Sequence, residues 1–106
     1  VSVGLLHGSQ PDIIVVCHEP GRTGMAGLPD FTVPDVREVM DLSLAIGRRT
    51  NPAIRCAGIS LNTSALDKDA AFRLMDRESE RLGLTVADPI RGGARFDALV
   101  DACLRP

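Results

Sequence analysis

Side chains that can transfer a proton or bind an anion follow one apolar run of the sequence. His18 and Glu19 come directly after Ile13–Cys17, and Arg22 and Thr23 follow within the next four residues. An imidazole titrates close to neutral pH, which suits a general base. A guanidinium matches a carboxylate with two parallel hydrogen bonds. This stretch therefore predicts a site for proton transfer and for binding an anionic group.

Polar residues also follow two later apolar runs, 54–62 and 84–90. The polar residues are Asn62, Thr63, Ser64, Arg91 and Arg95, and Gly92 and Gly93 lie between the two arginines. In an open parallel sheet, ligands bind outside the carboxyl ends of the strands. We therefore expect all three sets of polar residues to share one rim. The double glycine before the last helix could also offer backbone N–H groups to an anion.

Each of these features also has a purely structural interpretation. Glu19 and Arg22 can form an ion pair that braces their loop, and His18 can donate to a backbone carbonyl. The segment 62–64 can be a turn and a helix cap, and the double glycine can be a turn. No metal site is expected, because His18 and Glu19 are adjacent and no matching His or Cys pair follows them.

The order of the apolar patterns predicts an α/β fold with parallel strands. Strands are expected at 13–17, 54–62 and 84–90, and amphipathic helices at 34–49, 67–83 and 95–104. The alternation of strand and helix implies right-handed crossovers between parallel strands. The continuous run Ile13–Cys17 is typical of a strand buried on both faces, and Pro89 indicates a sheet edge or a strand end.

Composition narrows the classes of function. The 106 residues amount to about one domain, with 44% hydrophobic and only 3% aromatic residues. The 12 basic residues are dispersed and the net charge is −2, so we expect no nucleic-acid partner. No apolar run approaches the roughly 20 residues that span a bilayer, so we expect no membrane partner. Cys17, Cys56 and Cys103 are expected to be buried free thiols of a cytoplasmic protein.

The pattern suggests part of a larger unit. The opening residues resemble the tail of a helix, and three strands are few for a doubly wound sheet. We therefore expect residues 1–106 to form a single, partial α/β domain, the C-terminal part of a larger α/β domain. An uncovered strand edge would favour self-association into a homo-oligomer.

Six stretches together resemble the C-terminal P-loop-like domain of the DgcN family of D-glutamate N-acetyltransferases. They are GLLHGSQPD, CHEPGR, GLPD, TNPA, GISLNTSAL and DPIRGG. The resemblance covers nearly the whole chain. It implies a partial three-layer α/β/α sandwich of the P-loop NTPase type that lacks its N-terminal Walker-type segment. It also implies acetyl transfer from acetyl-CoA to the amine of D-glutamate, in a bacterial enzyme of which this fragment alone is inactive and binds no cofactor.

Chemistry and placement then suggest roles within such an enzyme. His18 is the first choice for the base and Glu19 the second, and Arg22 and Arg91 are candidates for the substrate carboxylates. Further substrate contacts are expected from Thr23, Asn62, Thr63 and Ser64, and cofactor contacts from Gly92, Gly93 and Arg95. Two alternatives stay open: a P-loop enzyme that uses ATP and Mg²⁺, and a non-catalytic fragment that self-associates.

Overall fold

The structure is a computed structural model that describes residues 2–20, 24–25, 28–32 and 35–105. Within these ranges the chain forms four helices and five strands. They are α1 (Ser2–Ser9), β1 (Ile13–His18), β2 (Gly24–Met25), β3 (Leu28–Thr32), α2 (Val36–Gly47), β4 (Arg55–Leu61), α3 (Lys68–Leu82), β5 (Thr85–Ala87) and α4 (Ala94–Leu104). None of these helices combines the length and the apolar character that crossing a membrane requires.

The main sheet is parallel and has the order β1-β4-β5. The pairing of β1 with β4 ends at His18 and Leu61, and the pairing of β4 with β5 ends at Ser60 and Ala87. The carboxyl ends of all three strands therefore lie at one edge of the sheet. Strand β5 is an edge strand of this sheet and stops before Pro89, as the sequence predicted.

Helices cover both faces of the sheet, which confirms the predicted α/β sandwich. The core on one face joins Val16, Ile59 and Val86 of the strands to Met40 of α2 and Met75 of α3. Helix α4 packs on the opposite face against β4 and β5. Helix α4 approaches the sheet closely, because a Cβ atom added to Gly58 of β4 would lie only 2.5 Å from Cδ1 of Leu99.

Strand β1 is less buried than its apolar sequence predicted. Only Val16 of this strand is buried, and Cys17 is exposed. The prediction of burial on both faces was wrong because α4 packs over β4 and β5 rather than over β1. The prediction of buried thiols was wrong for Cys17, whereas Cys56 and Cys103 are half-buried free thiols. Burial raises the pKa of the Cys56 thiol.

Two further expectations need correction. The segment after His18, expected to be a loop, contains an antiparallel hairpin in which Gly24 pairs with Thr32 and Met25 with Leu28. The sequence pattern of α4 predicts an apolar stripe that is only partly buried in the structure, and its members are Phe96, Leu99, Val100, Cys103 and Leu104. Val100 and Leu104 are 40% and 77% exposed, while Leu99 and Ala102 face the sheet. Because α4 buries a narrow face, the outer positions of the apolar stripe remain in solvent.

The ends of the helices follow their local sequence. Helix α2 begins after Asp35, whose carboxylate accepts a hydrogen bond from the backbone N–H of Arg37 at 3.1 Å. Asp67 caps α3 in the same way through the N–H of Ala70 at 2.7 Å. Helix α3 ends at Leu82. The residue that follows it, Gly83, has a φ of 67°, in the left-handed region that glycine adopts without strain. Pro34, expected in the first turn of α2, lies outside the described residues.

Candidate functional site

An open cleft of about 490 Å³ lies at the carboxyl edge of the main sheet. Its lining comes from the ends of β1, β4 and β5 and from the residues that follow them. The lining residues are Cys17, His18, Glu19, Ser60, Leu61, Asn62, Asp88, Pro89 and Ile90. The structure thus brings together His18, Glu19 and Asn62 from two of the three predicted loops.

The two sides of the cleft are joined by the backbone at the end of the sheet. The N–H of Asn62 donates to the carbonyl of His18 at 2.9 Å, which continues the β1–β4 pairing by one residue. The side-chain oxygen of Asn62 accepts from the N–H of Ser64 at 3.1 Å. This turn matches the structural interpretation of the segment 62–64, although Asp67 rather than this segment caps α3.

Thr63 follows the cleft-lining residue Asn62 and is itself buried, with an exposed fraction of only 1%. Its backbone N–H donates to Oδ2 of Asp88 at 2.9 Å, and its hydroxyl donates to the same oxygen. Asp88 is 4% exposed and uses its other oxygen to accept from the N–H of Ile90 at 2.9 Å. The loops after β4 and β5 are therefore joined through one buried carboxylate.

Arg91 completes this buried arrangement. Its Nε donates to the Thr63 hydroxyl at 2.6 Å and lies 3.7 Å from Oδ2 of Asp88. Its Nη2 donates to the carbonyls of Thr63 at 3.0 Å and Leu66 at 2.7 Å. Arg91 was predicted to bind a substrate carboxylate. Its Nε and Nη2 groups instead connect the loop after β5 to the loop after β4.

Hydrogen bonding keeps Asp88 ionised. Burial by itself raises the pKa of this carboxyl group, because desolvation disfavours the charged form. Hydrogen bonds from the hydroxyl and N–H of Thr63 and from the N–H groups of Ile90 and Arg91 outweigh burial, so the pKa of Asp88 is lowered. The wall of the cleft thus includes a buried carboxylate in its charged form.

The remaining predicted residues lie elsewhere or outside the described ranges. Arg95 forms an ion pair with Asp76 of α3 at 3.0 Å and lies over the ring of Phe72, 4.5 Å from its centroid. Gly92 and Gly93 have φ values of 64° and 82°, in the left-handed region. The N–H of Gly92 already donates to the carbonyl of Asp88 at 3.1 Å, which leaves it unavailable to an anion. Arg22 and Thr23 lie outside the described residues.

The described lining of the cleft combines apolar surface with a few polar groups, two of which are carboxylates. Glu19 and Asp88 contribute carboxylates, His18 an imidazole and Asn62 an amide, whereas no Lys or Arg is among the lining residues in the part of the chain described. The chain's single lysine, Lys68, lies over the ring of Phe72 on α3. Within the described ranges, no cluster of three or more His, Cys, Asp or Glu side chains could hold a metal ion. This wall suits an ammonium group better than a phosphate.

Asp88 is the residue of the site that the sequence patterns did not reveal. The third apolar run was assigned to Leu84–Ile90, which placed Asp88 inside a strand. The strand instead ends at Ala87. The signal was available, because an aspartate followed by a proline favours a turn over a strand. Ending the strand there would have placed Asp88 at the carboxyl edge with His18 and Asn62.

A parallel sheet between helices, with an open cleft at the carboxyl ends of its strands, defines an α/β protein of the doubly wound class. The chain belongs to the DUF1611 family. Its residues 1–100 match the family model described as "Domain of unknown function (DUF1611_C) P-loop domain". The predicted P-loop-type fold is thereby confirmed.

Two relatives carry the name D-glutamate N-acetyltransferase. The protein from Tritonibacter scottomollicae is 43% identical over 102 residues, which cover 96% of this chain and 30% of that protein. The protein from a Pseudoalteromonas species is 41% identical over 93 residues, which cover 88% of this chain and 28% of that protein. The resemblance to this group is confirmed, and the chain spans less than a third of the length of these relatives.

A solved structure shares the fold. The crystal structure of a DUF1611 family protein from Anabaena variabilis superimposes with a TM-score of 0.86 at 29% sequence identity. The match covers 98% of this chain and 30% of that protein. The arrangement of helices and parallel strands described above is therefore shared with this family member.

Proposed function

We propose that this chain forms one wall of the active site of a cytoplasmic enzyme that transfers an acetyl group from acetyl-CoA to the amine of D-glutamate. The chain would be the C-terminal portion of a larger P-loop-like domain that assembles as a homo-oligomer. One observation carries the proposal: His18, Glu19 and Asn62 meet at the carboxyl edge of the sheet. Relatives 41–43% identical to this chain that bear the name D-glutamate N-acetyltransferase support it.

The reaction requires that an ammonium group lose a proton before the nitrogen attacks. In our proposal the carboxylate of Glu19 attracts the ammonium of D-glutamate, and the neutral imidazole of His18 takes the proton. The free amine then attacks the thioester carbon, so that a C–N bond forms. The C–S bond breaks, the nitrogen loses its second proton to give the amide, and the departing thiolate of coenzyme A takes up that proton. We assign to the Asn62 amide a hydrogen bond to the carbonyl oxygen as negative charge develops there.

The carboxylates of D-glutamate need cationic partners, and we assign Arg22 to this role. It is the only Lys or Arg between Cys17 and Pro34 in the sequence. Arg91 is assigned instead to holding the loops, because its Nε and Nη2 atoms donate to Thr63 and Leu66. Arg95 is assigned to its ion pair on α3. Gly93, at the start of α4, stays our candidate for contact with a phosphate of acetyl-CoA.

The test compares the two histidines of the chain in the protein as its gene encodes it. His18→Gln should lower kcat/KM for acetylation of D-glutamate by about 10²- to 10⁴-fold, the usual contribution of a general base. His7→Gln is the matched control, because Nε2 of His7 bonds the carbonyl of Ile46 at 3.1 Å, away from the cleft. Equal activity of the His18→Gln variant and the wild type would remove His18 from the mechanism. A wild-type protein that transfers no acetyl group to D-glutamate would overturn the function itself.

A further inference from the structure

The hydrogen bonds among Thr63, Asp88 and Arg91, here called the Thr63–Asp88–Arg91 network, have a fixed direction. A guanidinium can only donate, and an ionised carboxylate can only accept. The Thr63 hydroxyl between them must therefore accept from Nε of Arg91 and donate to Oδ2 of Asp88. No rotation of the hydroxyl satisfies both neighbours in any other way, so the network holds the loops after β4 and β5 in one arrangement.

Asp88 is unsuited to transferring protons itself. Both of its oxygens accept hydrogen bonds: Oδ2 from Thr63, and Oδ1 from the N–H groups of Ile90 and Arg91 at 2.9 and 3.4 Å. Each of these bonds stabilises the ionised form and binds a lone pair that a substrate proton would need. A buried carboxylate with this many partners serves geometry rather than chemistry.

The network is connected to the cleft through the backbone. Thr63 is held by Asp88, and its neighbour Asn62 is held by the carbonyl of His18 at 2.9 Å. Asn62 thus lies between two fixed points, one on β1 and one beneath the cleft. Movement of Thr63 toward solvent would therefore shift both the Asn62 side chain and the end of β1.

We propose that Asp88 is a positioning residue that, through Thr63 and Arg91, sets the placement of Asn62 relative to His18 in the candidate active site. Its effect on turnover rests on the function proposed above, whereas its effect on geometry does not. The network needs both a hydroxyl at residue 63 and a carboxylate at residue 88, because the loss of either would free the loop 62–66.

The experiment uses the protein as its gene encodes it and combines kinetics with NMR. Asp88→Asn and Thr63→Val should each lower kcat for D-glutamate acetylation by about 10- to 100-fold, with a smaller change in KM. In the absence of substrate, both should shift or broaden the side-chain amide signals of Asn62 and the imidazole signals of His18. Thr63→Ser, which retains the hydroxyl, should restore the wild-type kcat and signals.

Asp12→Asn is the matched control, because Asp12 accepts from the Asn51 amide at 2.8 Å at the amino end of β1, opposite the cleft. It should leave kcat and both sets of signals unchanged. Folded Asp88→Asn and Thr63→Val variants with wild-type signals, or with altered signals but unchanged kcat, would overturn the proposal. Should Asp88→Asn fail to fold, the comparison of Thr63→Val with Thr63→Ser decides. Should the wild type show no acetyl transfer, the proposed function fails and the NMR comparison alone decides the positioning role.

Discussion

Thr63 donates two hydrogen bonds, one from its backbone N–H and one from its hydroxyl, to the same oxygen of Asp88, 25 residues along the chain. The two residues follow neighbouring parallel strands, so this pair joins two of the three loops that surround the cleft. Both side chains are almost fully buried. The stability of the cleft therefore depends on hydrogen bonds that solvent cannot replace.

The first prediction concerns the stability of this pair. Thr63→Val should lower the free energy of unfolding by about 1–3 kcal/mol, because a buried carboxylate loses a donor and Nε of Arg91 loses an acceptor. Thr63→Ser should cost much less, since the hydroxyl is kept. Urea unfolding followed by far-UV circular dichroism measures both variants, because the chain contains no Trp or Tyr. Equal losses in the two variants would contradict the expectation, because the methyl group that Thr63→Ser removes would then matter as much as the hydroxyl.

The second prediction concerns acid. The pKa of Asp88 in the folded protein is lower than the ordinary value of 3.8, so its bonds stabilise the protein above that value and are lost as the pH falls through the folded pKa. Asp88→Asn should thus be less stable than the wild type at pH 7 and should lose less stability on going from pH 5 to about pH 2. Melting temperatures across this range test the expectation. An equal fall in melting temperature between pH 5 and about pH 2 for the two proteins would contradict it.

An internal comparison for the acid experiment is Asp35. The side-chain hydrogen bond from Arg81 lowers the pKa of Asp35, although burial acts in the opposite direction. Both side chains are largely exposed, so solvent screens the pair and its contribution is small. Asp35→Asn should therefore reduce the fall in melting temperature at acid pH by less than Asp88→Asn does.

The third prediction concerns the packing of α4 on the sheet. Gly58→Ala should destabilise the protein by about 1–3 kcal/mol, because the new Cβ would overlap the backbone carbonyl oxygen of Thr85 and approach Leu99. The carbonyl belongs to the β4–β5 pairing and cannot move away cheaply. Gly8→Ala in α1 is the control, since no atom lies within 4 Å of its added Cβ. Chemical unfolding of both variants makes the comparison, and an unchanged Gly58→Ala would place α4 differently.

The fourth prediction concerns thiol reactivity. Cys17 is exposed and lines the cleft, whereas Cys56 is half-buried and has a raised pKa. Because the thiolate is the reactive form, a disulfide reagent at pH 8 should label Cys17 first and Cys56 much more slowly. Cys17→Ser should remove the fast phase of labelling and Cys56→Ser should leave it. A fast phase that survives in Cys17→Ser would contradict the exposure of this residue.

The fifth prediction concerns Arg22, which lies outside the described residues and is assigned from the sequence. Arg22→Lys keeps the charge but loses the paired hydrogen bonds of the guanidinium. A charge-assisted hydrogen bond contributes about 1.5–3 kcal/mol, so KM for D-glutamate should rise by at least about tenfold, with little change for acetyl-CoA. Glu19→Gln serves as the comparison. If Glu19 and Arg22 formed only a structural ion pair, both variants should lose similar thermal stability, and KM should change equally for D-glutamate and for acetyl-CoA.

The pattern of apolar runs and amphipathic segments is sufficient to predict the class of fold and the edge at which the cleft lies. Runs of apolar residues separated by amphipathic helices imply parallel strands, and parallel strands place their carboxyl ends together. That reasoning was enough to bring His18 and Asn62 to one cleft. The motif CHEPGR and its companions were enough to indicate the family, because each is a local run of letters that needs no knowledge of contacts.

Which side chains are available to a ligand depends on contacts that form only in the folded chain. Arg91 and Thr63 are suitable ligand-binding residues by type. In the structure, however, Thr63 donates to the buried carboxylate of Asp88, 25 residues away, and Arg91 donates to the hydroxyl of Thr63. Strand β1 looks fully buried by composition, yet its exposure depends on where α4 packs. Both outcomes depend on contacts between residues far apart in the chain, and the periodicity of a single segment carries no information about such contacts.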